Sequence, residues 1–319
     1  MELIFLGTSS GVPTKTRNVY SFAFKYINSK SWYMVDCGEG TQHQLLKTNL
    51  SLNNLSAVFI THVHGDHLYG LPGLLASATM YGREEPLKII GPNAVKEYIE
   101  STKELTQTRF SYEIEFINID EKNKLEVNDF NVDIVELSHR VSSFGFCFTE
   151  KDITQKLDVK KLEKNGIPKG PLWGKIQSGE DIFVDGKQLK SCDYLLKRRE
   201  PRKVIVAGDN DNPLLLKKHI NSLDVLVHEA TYTNDIAEDK GEIPQHCSAK
   251  KIASFSKENS IPNLILTHFS PRYQEKDKGN GLKIDDIKEE GLMNYNGNLI
   301  LANDFDRFIL NAKGEVVKT

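Results

Sequence analysis

A chain of 319 residues can bury a sizeable core, as one large α/β domain or two ordinary ones. Charged residues make up 27% with both signs interspersed, which excludes wholesale disorder, and a net charge of −3 excludes a generally basic nucleic-acid coat, so any nucleic-acid binding would have to come from local patches. The four cysteines (Cys37, Cys147, Cys192 and Cys247) are scattered without a CxxC, which fits a reducing compartment and excludes a cysteine-rich zinc site.

The first residues, MELIFLG, lack the basic region and small-residue cleavage site of a signal peptide and read as a first strand. No apolar run approaches the ~20 residues of a membrane helix, so the expected location is the cytoplasm and no membrane partner is expected. The strand runs into a polar glycine loop, Gly7-Thr8-Ser9-Ser10-Gly11, and then into Pro13-Thr14-Lys15-Thr16-Arg17-Asn18. Lys15 and Arg17 are suitable cations for phosphates, although a solvated basic loop has the same composition. Residues 20–26 and 31–36 read as a strand hairpin, and a helix opens near residue 41. Asp36 either orients a metal ligand from behind or caps that helix. His43 is read as structural.

The chain is organised around Thr61-His62-Val63-His64-Gly65-Asp66-His67. The apolar run 57–61 before it reads as a buried strand, and residues 68–81 after it as a helix. The four polar side chains therefore sit on a tight loop at a strand's C-terminal end. His62 and His64 are two apart and point the same way from an extended backbone, and Gly65 is expected at positive φ where the chain turns. Imidazoles and a carboxylate on a rigid loop are the ligand set of zinc and similar metals, and two facings suit a pair of ions better than one tetrahedral site.

Strand and helix then alternate. Residues 87–90, 113–117, 130–137 and 144–149 read as strands and 93–105 as a helix. Further strands cover 204–207, 224–227, 264–267, 299–302 and residues near 308–310, and Gln245-His246-Cys247-Ser248 opens a helix. Four separate apolar runs end in a candidate ligand: His62, His139, Asp209 and His268. Layered α/β folds place active groups at strand ends, where a rigid core fixes loop geometry. No internal duplication is visible.

Residues 150–193 break the pattern. Seven lysines between Lys151 and Lys175 face only Asp152, Asp158 and Glu163, and Gly166-Ile167-Pro168-Lys169-Gly170-Pro171 can be neither a regular helix nor a central strand. The segment is too long for a connector and reads as a functional insertion. A second basic cluster, Lys197-Arg198-Arg199 with Arg202-Lys203, follows it.

The HxHxDH core after an apolar strand resembles the metallo-β-lactamase superfamily of metal-dependent hydrolases. The longer THVHGDHLYGLPGLL resembles its ribonuclease Z branch, as do the PxKxRN loop and the Gly-Pro-rich insertion. The resemblance runs from Phe5 to Asp304 and implies one domain over 1–319, a four-layer αββα sandwich with an inserted arm at about 150–193. It implies two metal ions per chain, most simply zinc with other divalent metals possible. His62, His64 and His139 would hold one ion, Asp66, His67 and His268 the other, with Asp209 bridging. Water between two such ions is acidified toward neutral pH and serves as nucleophile. Asp66 would also take the proton, and His246, oriented by Glu229, would protonate the leaving oxygen. Lys15 and Arg17 would read the tRNA 3′ end, and Gly166, Pro168, Gly170 and Pro171 would belong to an arm gripping the tRNA body. HCS stands at His246 where the family has HST, and GDN at Asp209 where it has GDT. The implied reaction is endonucleolytic removal of the 3′ trailer from precursor tRNA after the discriminator nucleotide, by a homodimer whose arm serves tRNA bound by the other subunit. A small-molecule phosphodiesterase or lactonase would share the metal centre without needing a basic arm. A non-catalytic RNA-binding module would keep the arm and lose ligands.

Overall fold

The computed structural model describes all residues except 152, 154–155, 185, 197–198, 242–244 and 276–280. Asp152 and, in the second basic cluster, Lys197 and Arg198 thus lie outside the described residues. The strands in chain order are β1 (Glu2–Gly7), β2 (Ser21–Lys25), β3 (Trp32–Val35), β4 (Leu55–Phe59), β5 (Leu87–Gly91), β6 (Ile114–Asn118), β7 (Lys124–Val127), β8 (Phe130–Leu137), β9 (Ser143–Glu150), β10 (Ile182–Val184), β11 (Lys187–Leu189), β12 (Lys203–Ala207), β13 (Val225–Glu229), β14 (Asn263–Thr267), β15 (Asn298–Leu301), β16 (Arg307–Leu310) and β17 (Val316–Lys318). They make an eight-stranded sheet, β17-β16-β1-β2-β3-β4-β5-β6, a seven-stranded sheet, β15-β14-β13-β12-β9-β8-β7, and the small hairpin β10-β11.

Both large sheets have the same plan. The first is antiparallel from β17 to β3 and parallel from β3 to β6. The second is antiparallel from β7 to β12 and parallel from β12 to β15. The two halves thus repeat in architecture although no repeat is legible in the sequence.

Alternation along each strand builds the layers. On β1, Leu3 and Phe5 point between the sheets while Ile4 and Leu6 point outward. Phe22, Phe24 and Phe59 meet Phe130, Phe146 and Phe148 in the inner layer, with Phe24 and Phe148 rings 4.5 Å apart. The outer face of the first sheet is covered by the helices Leu71–Met80 and Asn93–Thr106 through Leu71, Leu74, Leu75, Val95 and Ile99. The outer face of the second is covered by Ala249–Glu258 and Ile284–Asn294 through Ile252, Phe255 and Ile287. This is the expected αββα sandwich. No helix among the described residues is long and apolar enough to cross a membrane.

The insertion has a core of its own. Leu162, Ile167, Ile176, Ile182 and Tyr194 form a separate buried cluster. It is built from two short helices, Val159–Lys164 and Pro171–Gln177, with the β10-β11 hairpin, and is closed by a Leu157–Leu195 bridge. Gly166 ends the first helix at φ +68. Pro171 takes the first turn of the second, where its missing N–H costs nothing. Gly166, Pro168, Gly170 and Pro171 are all exposed, and only Ile167 turns inward.

The insertion leaves at the end of β9 and returns at the start of β12, where Thr149 pairs with Lys203. Glu150 closes its root. The carboxylate accepts from Arg202 N at 2.8 Å and Arg202 Nε at 2.9 Å, and from Arg199 Nη1 at 2.5 Å. Arg199 and Arg202 of the second basic cluster are therefore turned onto this carboxylate; burial pushes its pKa up, but their hydrogen bonds outweigh that and hold it below its ordinary range.

Candidate metal centre

The metal loop and its partners meet at one end of the sandwich, between the sheets. His62, His64, Asp66 and His67 follow β4 of the first sheet, and His139, Asp209 and His268 follow β8, β12 and β14 of the second. A backbone bond joins the sheets there, Phe144 N donating to Thr61 O at 3.0 Å, and within the second sheet Gly208 N donates to Phe144 O at 3.2 Å. Gly208 permits this approach, since a Cβ on it would lie 2.7 Å from Thr61 Cβ and 2.8 Å from Phe144 O.

Seven donor groups converge in two sets. His62 Nε2 and His139 Nε2 each lie 3.1 Å from His64 Nδ1. His67 Nε2 lies 3.1 Å from His268 Nε2, and Asp66 Oδ2 lies 3.5 and 3.3 Å from the two. Asp209 spans the sets. Its Oδ2 is 3.6 Å from both His62 and His139, and its Oδ1 is 3.5 Å from His67 and 3.4 Å from His268. Ligands about 2.0–2.1 Å from a tetrahedral ion stand roughly 3.3 Å from one another, which is the spacing these donors already have.

The outward nitrogens are spoken for, which fixes which nitrogen faces in. Thr61 Oγ1 donates to Asp36 Oδ2 at 2.8 Å, so it receives His62 Nδ1–H at 2.9 Å. His67 Nδ1–H donates to Asp36 Oδ2 at 2.7 Å. His139 Nδ1–H donates to Gln245 O at 3.0 Å, and His268 Nδ1 lies 3.0 Å from Thr231 Oγ1. Asp36 therefore orients His67 and, through Thr61, His62, while the N-cap of the following helix is Gly40. Asp36, Gln245 and His268 all hold positive φ without being glycine. Such strain collects where surrounding structure over-determines a site.

Burial holds the His62, His64 and His139 imidazoles below their ordinary pKa range, leaving them neutral and able to ligate. Burial opposes charge on His67 too, but the carboxylates of Asp209, Asp66 and Asp36 outweigh it and favour positive charge there. Among the described residues, three buried side-chain polar atoms lack a hydrogen-bond partner: Tyr20 Oη, Gln245 Oε1 and Thr267 Oγ1. Tyr20 packs on His67, Gln245 precedes His246, and Thr267 precedes His268, so all three flank this centre. Donor type, spacing and outer shell together fit divalent metal.

His246 stands beside the ligands, its Nδ1 3.1 Å from both Glu229 oxygens and 3.7 Å from Asp209 Oδ2. Burial would lower the imidazolium, but Glu229 and Asp209 overcome it and raise it to about 9. Glu229 is 2% exposed and accepts from Asn210 N at 2.7 Å and Thr231 Oγ1 at 2.5 Å. It reaches no open surface and acts through His246 and, by way of Thr231, His268. Ser248 caps the helix behind His246, accepting from Lys251 N, as the HCS sequence allows. In the GDN sequence, Asn210 N–H holds Glu229 and its side chain meets His228 Nε2 at 3.0 Å.

Two expectations need correction. Gly65 is not at positive φ. It begins a four-residue helix, Gly65–Leu68, and the Tyr69 ring lies over it, 2.3 Å from where a Cβ would stand. Arg17 is not a free cation for substrate: it is 6% exposed, and its guanidinium donates to Glu275, Thr8, Ala302 O and Asn303. Lys15 is exposed and remains the loop's available charge. The same loop reaches the metal centre through Gly11 N, which donates to Asp66 Oδ2 at 2.6 Å, a contact with no motif to announce it.

The first 165 residues match a family model described as "Anti-Pycsar protein Apyc1". The ribonuclease Z of Marinobacter nauticus is 48% identical over 312 residues, 97% of this chain and 96% of its own. The crystal structure of the short form of human tRNase Z aligns with a TM-score of 0.66 at 27% identity, over 98% of this chain and 100% of its own. YhfI of Bacillus subtilis, a metallo-β-lactamase fold protein, shares the fold at a TM-score of 0.65 and 17% identity, over 96% and 98% of the two chains. With its paired donor sets at the strand ends and near-complete overlap with such relatives, the chain belongs to the ribonuclease Z family of the metallo-β-lactamase fold, and its first half also falls within the Anti-Pycsar protein Apyc1 family.

Proposed function

We propose that this protein is a two-zinc endoribonuclease that removes the 3′ trailer from precursor tRNA. The observation that carries the reading is the complete double donor set bridged by Asp209, in a chain alike over nearly its whole length to proteins named ribonuclease Z. When bound, the ions supply an acidified water and neutralise charge on the phosphoryl oxygens.

The chain's own residues supply positioning and proton movement. Asp66 is held by Gly11 N and takes the water's proton as its oxygen attacks phosphorus. The bond from phosphorus to the 3′-oxygen of the discriminator nucleotide breaks. His246, with Nδ1–H on Glu229, turns Nε2 outward and gives that oxygen its proton. The tRNA leaves with a 3′-hydroxyl and the trailer with a 5′-phosphate. Lys15 meets backbone phosphate, with Arg17 bracing its loop.

The insertion serves as the tRNA-gripping arm. Lys160, Lys164 and Lys169 are exposed, and no carboxylate among the described residues pairs with them. Its root lies at the far end of β9 from the metal centre, a distance of about 23 Å for eight strand residues. This separation favours a homodimer in which each arm serves tRNA held by the other subunit. A cytoplasmic location follows from the substrate.

Purified protein acting on unmodified precursor tRNA, with the cut mapped to the nucleotide and both ends identified, tests the proposal. Cleavage after the discriminator with a 5′-phosphate on the trailer is expected. The other reading is a small-molecule phosphodiesterase or lactonase, which would use the same donor set without the arm. Turnover of small diesters without any cut in precursor tRNA would establish it.

A further inference from the structure

Tyr20 lies beneath the metal centre and has no part in the scheme above. It immediately precedes β2 and is 1% exposed in the layer between the sheets. Its ring packs 5.4 Å from that of His67 and 6.0 Å from that of His268, centroid to centroid. Those two imidazoles belong, with Asp66, to one donor set. The phenol finds no acceptor among the described residues. An ordinary phenol keeps its proton at neutral pH, so this is a buried donor with nothing to donate to among the described residues, a state that costs stability.

Two carboxylates meet the His67 imidazole on which the Tyr20 ring packs, Asp36 at Nδ1, 2.7 Å away, and Asp209 at Nε2, 3.5 Å away. Asp36 is already engaged by Thr61 N, Thr61 Oγ1 and His67 Nδ1. Among the described residues the Asp209 carboxylate has no protein donor nearer than the imidazole nitrogens at 3.4–3.7 Å. Tyr20 packs tilted against His67 and edge-on to His268, the side that Asp209 Oδ1 faces.

We propose that Tyr20 is a positioning residue of the metal centre, whose hydroxyl holds the bridging Asp209, directly or through one water, once the Asp66–His67–His268 set takes a divalent ion. This rests on the paired-ion reading. The hydroxyl is an unsatisfied burden in the metal-free protein and a second tether for the bridging carboxylate in the loaded one. The two states therefore respond to its removal with opposite sign, which a mere packing role for the ring would not produce.

Tyr20→Phe keeps the ring and removes only the hydroxyl. Stepwise zinc binding to the metal-free protein by calorimetry, with cobalt absorption as a second readout, gives the affinities. Thermal melts of both states give the signs. Wild-type protein should take two ions. Tyr20→Phe should bind one of them about tenfold more weakly, the scale of a lost outer-shell partner, and leave the other unchanged. Its metal-free Tm should equal or exceed that of wild type, while its loaded Tm falls below. Two ions in wild type with unchanged stepwise affinities in the variant would overturn the role of Tyr20 and leave the paired site standing. A wild-type protein that takes only one ion would overturn both.

Discussion

The metal centre and the insertion are built in opposite ways. The centre takes seven donors from four separate stretches, the farthest 206 positions apart between His62 and His268, and relies on two sheets to bring them within 3.1–3.6 Å. The insertion is one contiguous segment with a small core of its own, closed at its root by Glu150. A centre of the first kind fails when one side chain changes. A module of the second kind tolerates point changes in its exposed lysines and fails only as a whole.

The sharpest break in the centre is Asp209→Ala. One carboxylate faces both donor sets, so the variant should lose nearly all activity and retain at most one ion per chain by metal analysis. Chelation of the wild-type protein should have the same effect, and readdition of zinc should restore activity. If a fully active preparation carries at most one ion, the paired-ion account is wrong.

Asp66→Ala comes next. Loss of a proton acceptor that is also a ligand should cost on the order of 10³-fold in kcat while precursor tRNA binding stays nearly intact. Equal losses in binding and turnover would make Asp66 structural.

Glu229→Gln should act through His246 and cost about 10- to 100-fold. Its signature is in pH. His246 must be protonated to donate, so wild-type kcat should fall as pH rises through about 9, where Glu229 and Asp209 place its imidazolium. Without the Glu229 charge that limb should move to lower pH. An unmoved limb would remove His246 from the acid role.

The smallest effects separate two cations of one loop. Lys15→Ala should raise KM a few-fold, reduce the salt slope of tRNA binding by about one, and leave stability within about 0.5 kcal/mol. Arg17→Ala should instead destabilise the fold by about 2 kcal/mol, because buried charged hydrogen bonds are lost. Melts and binding isotherms of the two variants compare them directly.

The same contrast explains what the sequence disclosed. The HxHxDH loop is legible because its four side chains are adjacent, and His139, Asp209 and His268 are legible because each ends an apolar run. The succession of strands and helices follows from the alternation of short runs, while the αββα sandwich comes from the resemblance that the HxHxDH loop carries. Arg17 was misread because its partners lie 258 positions away at Glu275 and 286 at Asn303, and no local pattern tells a buried guanidinium from a free one. Gly65 was misread because a close ring and a positive φ both call for glycine. Tyr20 left no signal, since an aromatic at a strand's start is ordinary core. The insertion's helices were hidden by the proline and glycine that end one and begin the other, and its small core by a composition dominated by lysine. The strand Lys124–Val127 and the helix Ile284–Asn294 were missed because neither carries a strong apolar period.

The central claim is that chemistry and RNA grip reside in separable parts of the chain. The most direct measurement replaces the insertion, about residues 150–193, with a short Gly-Ser linker and follows two substrates side by side. Precursor tRNA binding should weaken strongly and lose much of its salt dependence, because phosphate neutralisation by the arm's lysines is gone. Hydrolysis of bis(p-nitrophenyl) phosphate should persist, because all seven donors remain. Unchanged tRNA processing would contradict the account by making the insertion a passive loop, and loss of both activities together would contradict it by making the insertion part of the core fold.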